Sequence, residues 1–190
     1  IAVLQEKFTV LPRSLEILRE QNSSDGMTSK LLLGLPDGNS VETVLMHHDY
    51  GYSVCVSSQV GCDMHCAFCA SGLKGAVRNL TAAEIVAQVY LFNERLRERG
   101  AMVGRVVVMG SGEPMLNFDS VLQALDFLHR DGTCNMSYRN MTLSTCGIIP
   151  GIKRLEEQGK PINLAISLHA VKNELRTALL PVNKGYPLVD

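Results

Sequence analysis

Three cysteines of one short segment, Cys62, Cys66 and Cys69, have the side chains and the spacing to bind a metal centre. Their C-x3-C-x2-C pattern lets thiolates from one loop converge without ligands from distant segments. Three thiolates are one fewer than the four that usually hold a [4Fe–4S] cluster or a structural zinc ion. A cluster with three protein ligands leaves one iron open for a substrate or cofactor, which a radical enzyme needs and a closed electron carrier does not.

Other interpretations of these cysteines compete with a cluster. A zinc site needs a fourth ligand, for which His65 is the local candidate. A disulfide beside a free thiol is disfavoured because nothing else in the sequence is typical of a secreted protein. Unrelated buried cysteines are disfavoured because glycine, aspartate and histidine surround the three.

Composition places the chain among ordinary globular proteins. Its 190 residues suffice for one domain with a core, and its contents of 46% hydrophobic and 19% charged residues are unremarkable. It contains no apolar run of the ~20 residues that a membrane span needs, and no signal peptide is visible. Six cysteines, three of them clustered, suit the cytoplasm and a metal rather than a disulfide framework.

The net charge of −1 gives no general attraction to nucleic acid, so any RNA contact must be local. Lys74, Arg78 and Arg105 are candidates for phosphate contacts, although each is at least as well explained as a solvated surface charge.

Four repeats of strand, loop and helix are predicted from residue 51 onward. The predicted strands are 51–58, 105–109, 140–144 and 162–167, and the predicted helices follow a capping box at 81–84 and then cover 119–129, 150–159 and 172–179. This order predicts an α/β fold with a parallel sheet and right-handed crossovers. Polar and glycine residues follow each strand, and in a (β/α) barrel such loops share one rim. Periodicity alone leaves a partial barrel and an open doubly wound sheet as alternatives.

The segment before residue 51 has a different pattern. Residues 1–22 are predicted to be mostly helical with a break near Pro12. Strands are predicted at 28–35 and 40–47, joined by a hairpin turn at 36–39.

Several motifs together resemble one family. Phe68 precedes the last cysteine of a spacing that resembles the signature of the radical S-adenosylmethionine (SAM) superfamily. The further blocks are Cys-Val-Ser-Ser-Gln-Val-Gly-Cys at 55–62, Arg-Asn-Leu at 78–80, Gly-Glu-Pro at 112–114, Leu-Ser-Thr at 143–145, Ala-Ile-Ser-Leu-His at 165–169 and Leu-Pro-Val-Asn at 180–183. In order and spacing they resemble the dual-specificity ribosomal and transfer RNA adenine carbon-2 methyltransferases, and their relative, the resistance enzyme that methylates carbon 8.

The resemblance implies a fold and a set of site residues. The expected fold is a partial (β/α) barrel over residues 51–190, preceded by an accessory region over 1–50 with a small helix and a β-hairpin, in a chain truncated at both ends. The implied ligands of a [4Fe–4S] cluster are Cys62, Cys66 and Cys69, and the implied SAM contacts are Gly112, Glu113, Ser144, Ser167, Leu168 and His169. Glu42 matches a proposed general base, and Cys55 matches the cysteine that resolves a covalent protein–RNA intermediate.

Each role has a plainer alternative. Glu42 is otherwise a surface carboxylate, and Glu113 a cap for the following helix. Cys55 is otherwise a small core residue, and it becomes a nucleophile only if its thiol faces the rim and its pKa is lowered. Cys134 and Cys146 match no motif and are interpreted as structural, with Cys146 close to the rim.

The family mechanism implied here uses two SAM molecules per turnover. One methylates a cysteine near the end of the catalytic domain, and the other is cleaved to a 5′-deoxyadenosyl radical that takes a hydrogen from the methylated cysteine. The carbon radical adds to adenine, and Cys55 then attacks sulfur, which forms a disulfide and releases the RNA. Because the chain ends at Asp190, before the expected methyl-carrying cysteine, the 190 residues alone are expected to be inactive.

The resemblance also implies partners. The expected substrates are 23S ribosomal RNA and transfer RNA, with a reducing electron donor such as flavodoxin, a monomeric state and no membrane. Three alternatives remain open: carbon-8 methylation, a non-enzymatic Fe–S or zinc RNA-binding module, and a different radical SAM enzyme. The block at 55–62 argues against the last.

Overall fold

The computed structural model describes residues 15–188, in which four parallel strands, each followed by a helix, occur in the predicted order from residue 51 onward. The strands are β1 (Glu16–Asn22), β2 (Thr28–Gly34), β3 (Ser40–His48), β4 (Gly51–Val56), β5 (Gln59–Gly61), β6 (Ala76–Asn79), β7 (Val103–Val108), β8 (Met141–Thr145) and β9 (Asn163–Ile166). The α-helices are α1 (Ala82–Arg97), α2 (Phe118–His129), α3 (Ile149–Glu157) and α4 (Asn173–Leu179). Seven strands form one sheet in the order β1-β2-β3-β4-β7-β8-β9.

The parallel half of this sheet consists of β4, β7, β8 and β9. One face of it is apolar and carries buried side chains from three strands, namely Val54, Val56, Val106, Val108, Met141 and Leu143. The buried stripe of α1, which includes Ile85, Val89 and Phe92, belongs to the same core. Each pair of neighbouring parallel strands is joined through a helix, so the predicted α/β class is confirmed.

Helix α1 begins at the predicted capping box. The Glu84 N–H donates to Thr81 Oγ1 (3.2 Å), and the Thr81 N–H donates back to Glu84 Oε2 (2.8 Å). Two N–H groups that the first turn leaves without partners are thereby satisfied, which stabilises such a helix by about 1 kcal/mol. In residues 15–188 even this helix, the longest there, lacks the length and apolar character to cross a bilayer.

The antiparallel half consists of β1 to β4. The predicted hairpin turn at 36–39 is confirmed: Leu35 N–H donates to Asn39 O (2.8 Å), and Gly38 takes the positive φ of 83° that the turn requires. Strand β3 pairs with β4, so the sheet runs without interruption past residue 50. The division into residues 1–50 and 51–190 stays a prediction.

The prediction of a mostly helical segment before Asn22 is wrong for its described part, because β1 is a strand paired antiparallel with β2. Glu16, Leu18 and Arg19 suit a helix by local propensity, but the turn at 23–26 folds the segment back onto β2. Six paired positions along β2 then satisfy its backbone, and Leu18 packs over Gly34. The remainder of the predicted helix, with the break at Pro12, lies outside the described residues.

A second, two-stranded sheet was not predicted. Strands β5 and β6 pair antiparallel and bracket the segment that carries the three clustered cysteines. Both are shorter than five residues, and neither has an alternating apolar pattern that sequence reasoning could detect.

Candidate metal and cofactor site

The cysteine loop, residues 62–75, leaves β5 and returns to β6. Cys62 is buried, whereas Cys66 and Cys69 are half-buried. Backbone hydrogen bonds close the loop, with Cys69 N–H donating to Cys66 O (3.0 Å) and Cys62 N–H donating to Gly75 O (3.2 Å). A cavity of about 510 Å³ opens along 65–73, with Cys66 and Cys69 in its wall.

The thiols of Cys62, Cys66 and Cys69 lie close enough to affect one another's ionisation, but they do not converge on the position of a single ion. Burial raises the pKa of Cys66, and the neighbouring Cys62 and Cys69 raise it further. Within residues 15–188, however, no three His, Cys, Asp or Glu side chains converge closely enough to hold a single metal ion. A zinc ion needs such convergence because each sulfur lies ~2.3 Å from it, whereas a cluster takes one thiolate per iron. Three cysteines within one loop are the ligand set expected for a cluster that leaves one iron open.

His65, the candidate fourth ligand of a zinc site, bonds to the main chain of the cysteine loop. Its Nδ1 lies 3.1 Å from the Gly72 carbonyl oxygen, and its backbone has a positive φ of 49°. The ring supports the loop by a bond to its own main chain, which leaves Nε2 for a ligand, so His65 stays the local candidate of the zinc alternative.

Gly61 fixes where the cysteine loop begins. Its φ is 75°, and a Cβ at this position would overlap the Gly75 carbonyl oxygen. Only glycine lets the outgoing and returning ends of the loop approach this closely.

The loop that follows β7 forms a cradle. Gly112 has a φ of 107°, and a Cβ there would lie 2.6 Å from Gln59 Cβ and 2.7 Å from Ser58 Oγ. Ser58 Oγ is itself buried and has no hydrogen-bond partner among the described residues. An orphaned hydroxyl next to a side-chain-free backbone fits a ligand that supplies the missing bond, as SAM could.

Glu113 lies at the centre of the loop contacts and is only 4% exposed. Its carboxylate accepts hydrogen bonds from Met115 N–H (3.1 Å) and Cys146 N–H (2.9 Å), and its own N–H donates to Gln59 Oε1 (2.8 Å). The plainer interpretation, a cap for the short 3-10 helix Pro114–Asn117, is thus realised. The same carboxylate also reaches the loop after β8, and it retains acceptor capacity for a ligand.

The remaining predicted SAM contacts follow β8 and β9. Ser144 is half-buried in β8, and Ser167 is half-buried with its N–H donating to Thr145 O (2.9 Å). Leu168 and His169 are exposed, and the His169 ring centroid lies 4.3 Å from that of Phe68. This contact brings the loop after β9 against the cysteine loop.

Glu42 and Cys55 share the sheet face opposite the helices. Val44 pairs with Cys55 across β3 and β4, and Glu42 lies two residues along the same face from Val44, so the two candidates are diagonal neighbours. Glu42 is exposed, and its Oε1 lies 2.9 Å from Lys30 Nζ. Burial raises the pKa of the Cys55 thiol, so the lowered pKa that a nucleophile needs is not met in this structure.

All six cysteines are free thiols, so the expected disulfide is not supported by this structure. Cys134 is buried and accepts a hydrogen bond from Asn93 Nδ2 (3.5 Å). Cys146 is buried beside Glu113, and burial raises its pKa, with that carboxylate raising it further.

The sequence suggested Arg78 as a phosphate contact, but in the structure its guanidinium is already paired with two carboxylates. Its Nε lies 2.5 Å from Asp37 Oδ2, and its Nη2 lies 2.8 Å from Glu84 Oε1. Arg105 stacks over the Tyr50 ring at 4.3 Å, and Lys74 is exposed.

Sequence reasoning missed four residues that support the site. Gln88 bonds to both Ser57 backbone groups, and Asn117 Nδ2 donates to Ser58 O and Leu80 O (both 2.8 Å). Gln59 Oε1 accepts a hydrogen bond from Glu113 N–H, and Arg176 Nη2 donates one to Cys146 O. Gln88 was the detectable one, because it interrupts the apolar stripe of α1.

Comparisons with known proteins identify the class. The model of the radical SAM superfamily matches residues 56–188, from the end of β4 past the 3-10 turn that follows α4. The chain therefore belongs to the radical SAM superfamily. The crystal structure of a radical SAM methyltransferase from Sphaerobacter thermophilus superposes with a TM-score of 0.91 at 41% identity, covering 98% of this chain and 54% of that one. This confirms the predicted fold class, an α/β radical SAM fold with parallel strands.

Curated relatives confirm the narrower resemblance. A probable dual-specificity RNA methyltransferase RlmN from Desulforamulus reducens is 51% identical over 172 residues, which are 90% of this chain and 48% of the relative. The protein with the same description from Symbiobacterium thermophilum is 49% identical, with 96% of this chain and 49% of the relative covered. The chain spans about half the length of the curated relatives it matches.

Proposed function

We propose that the protein containing this chain is a radical SAM RNA methyltransferase that methylates carbon 2 of an adenine in 23S ribosomal RNA and in transfer RNA. The observation that carries the proposal is the meeting of loops from successive parallel strands beside the cysteines. Phe68 touches His169, Ala67 N–H donates to Leu179 O (2.9 Å), and Glu113 accepts from Cys146 N–H. The description carried by the relatives supports the reaction assigned here.

The chain's residues would divide the work of cofactor binding. A bound [4Fe–4S] cluster would supply the electron that cleaves SAM. Cys62, Cys66 and Cys69 would hold it, leaving one iron for the amino acid end of SAM. Gly112 and Glu113 would hold that end as well, and Ser144, Ser167, Leu168 and His169 would line the rest of the molecule.

Glu42 and Cys55 would act on the substrate from the sheet face opposite the helices. Glu42 is exposed and would remove a proton from the adenine ring. Cys55 would attack the sulfur that links protein to RNA once its proton is removed, because burial raises the pKa of the free thiol. Neither Cys134 nor Cys146 fits the methyl-carrying role, because both are buried. We therefore assign activity to the longer protein, with two SAM molecules per turnover, and expect the 190 residues alone to be inactive.

The partners of that protein follow from the reaction. An electron donor of the flavodoxin type would reduce the cluster, and a cytoplasmic monomer would meet both RNA substrates. Lys74 and Arg105 are exposed and are the candidate phosphate contacts that the structure leaves available.

The test is anaerobic reconstitution of the full-length protein, with iron and zinc assays and electron paramagnetic resonance. We expect about four irons per chain, a cluster spectrum that changes when SAM is added, and a methyl group mapped by mass spectrometry to carbon 2. Cys62→Ala, Cys66→Ala and Cys69→Ala should each lose the cluster, whereas the matched control Cys134→Ala should keep it. Zinc without a response to SAM would overturn the proposal in favour of a binding module, and methylation at carbon 8 would overturn the position.

A further inference from the structure

Arg176 is a buried guanidinium that none of the sequence motifs explains. It lies in α4 and is only 3% exposed. Its Nη2 donates to Cys146 O (2.7 Å) and its Nη1 donates to Asn183 Oδ1 (2.5 Å), while its Nε has no partner among the described residues. It forms no ion pair within residues 15–188. A buried cation without a counter-charge is costly, so its retention points to a function.

Glu113 is the matching buried anion. It too forms no ion pair in the described part of the chain, and its two backbone donors are neutral. The main chain of one residue separates the two charges, because the N–H of Cys146 donates to Glu113 and its C=O accepts from Arg176. The loop after β8 is thus held between a carboxylate and a guanidinium.

The surrounding backbone is shaped for this arrangement. Gly147 has a φ of 111°, and a Cβ there would lie 3.1 Å from Arg176 Nη2. Asn183, which takes the second arm of the guanidinium, is itself held by Asn173 and Thr177. The Arg176 side chain is therefore fixed at both ends of its fork.

We propose that Arg176 is a positioning residue for the amino group of SAM, acting through Cys146 on Glu113; this rests on the function proposed above. A guanidinium in direct contact with Glu113 would neutralise the carboxylate and compete with a ligand's ammonium. One residue away, Arg176 fixes the loop that holds one carboxylate oxygen and leaves the negative charge available. Glu113 keeps lone pairs for an ammonium group after its two backbone bonds.

The test compares two thioether ligands on the anaerobically reconstituted full-length protein by calorimetry. S-Adenosylhomocysteine carries the amino acid part, and 5′-methylthioadenosine lacks it. Arg176→Gln should weaken binding of S-adenosylhomocysteine about tenfold, the size of one lost charge-assisted bond, and leave that of 5′-methylthioadenosine within about twofold. Arg154→Gln is the matched control, since Arg154 pairs with Asp119 on the surface, and it should change neither.

The outcomes separate the two proposals. Equal weakening of both ligands, or of neither, overturns the positioning role while the protein remains a SAM enzyme. Arg176→Lys, which keeps the charge but not the fork, should restore part of the selective loss, and failure of both variants to fold would assign Arg176 a structural role only. A wild-type protein that takes up no iron and binds neither ligand overturns the proposed function itself.

Discussion

At the scale of single residues, the candidate site is built from polar groups held by backbone partners. Glu113, Ser58 and Arg176 are all nearly inaccessible to solvent, and each keeps hydrogen-bonding capacity that the described residues do not use. Buried polar groups of this kind are rare in a core because each costs free energy unless it is paired. Their concentration near the cysteine loop supports the proposal that a ligand binds in this region.

Gly61→Ala should destabilise the cysteine loop, because the new methyl group would overlap the Gly75 carbonyl oxygen. The positive φ adds about 1 kcal/mol or more for a residue with a side chain. We expect less iron per chain after reconstitution and a lower melting temperature. Gly38→Ala is the control, with a φ of 83° but no atom within 4 Å of its Cβ. Equal losses in both variants would show that conformation rather than the close approach matters.

Cys55 should react slowly with iodoacetamide at neutral pH, because burial raises the pKa of its thiol and the thiolate is the reactive form. In the cluster-free protein we expect a lower rate at pH 7 than in the unfolded chain, and a rate that rises in alkaline solution as the thiolate forms. Peptide mapping by mass spectrometry measures this. A fast reaction at pH 7 would mean that the thiol is already activated.

At the scale of elements, polar side chains tie helices to strand ends. Gln88, fully buried in α1, donates to Ser57 O (3.0 Å) and accepts from Ser57 N–H (2.9 Å), which fixes the segment just beyond β4. Arg78 links the β2–β3 hairpin to the start of α1 through Asp37 and Glu84. The elements are thus held in register at the end of the sheet where the cysteines lie.

Gln88→Leu should lower the free energy of unfolding by about 3 kcal/mol, because it leaves two buried backbone groups of Ser57 without partners. In a domain of this size that corresponds to roughly 6 to 12 °C in melting temperature. The control is Gln123→Leu, at an exposed position of α2, which should change little. A Gln88 variant as stable as this control would contradict the role assigned to the two bonds.

Arg78→Gln should remove an acid-sensitive part of the stability. The Arg78 hydrogen bond holds the pKa of Asp37 far below its usual range. Burial would raise the pKa of Glu84, but the bonds from Arg78 and Thr81 outweigh it and lower the pKa. Carboxyls with depressed pKa values stabilise the fold above their unfolded values and lose that contribution as pH falls.

The difference in melting temperature between wild type and Arg78→Gln should therefore be largest near neutral pH and shrink below about pH 4.5, the ordinary value for Glu84. Differential scanning calorimetry across pH 3 to 7 measures it. A difference that is constant across this range would show that the arginine acts through packing alone.

At the scale of the whole molecule, loops from different strands depend on each other. The cysteine loop rests on the end of α4 through Ala67 N–H and Leu179 O, and it contacts the loop after β9 through Phe68. A cluster bound by that loop would therefore stabilise contacts with the end of the sheet, where β9 pairs only with β8 in the described residues.

Removal of the cluster should lower the melting temperature of the full-length protein by several degrees, because a ligand that binds only the folded state stabilises it by mass action. Reconstitution should restore it, and Cys62→Ala should melt at the temperature of the cluster-free protein. Anaerobic differential scanning calorimetry measures these values. Identical melting temperatures with and without iron would contradict the prediction and show that cluster binding does not stabilise the fold.

The sequence by itself determined the local features: the order of the four parallel strands and their helices after residue 51, the hairpin at 36–39, the capping box before α1 and the cysteine spacing. These depend on neighbours within a few residues, such as Thr81 and Glu84 or Leu35 and Asn39. The polar residues after each strand were visible in the same way, since a parallel sheet collects those loops at one end.

Only the tertiary structure decided the rest. Residues Glu16–Asn22 became a strand because β2 offered partners for their backbone, which outweighed helical propensity. The two ends of the cysteine loop approach each other at Gly61 and Gly75. Arg176 and Glu113 both bond to the main chain of Cys146, from which they lie 30 and 33 positions away in the sequence. Such contacts leave no periodic trace in the sequence, because they join residues that only the folded chain brings together.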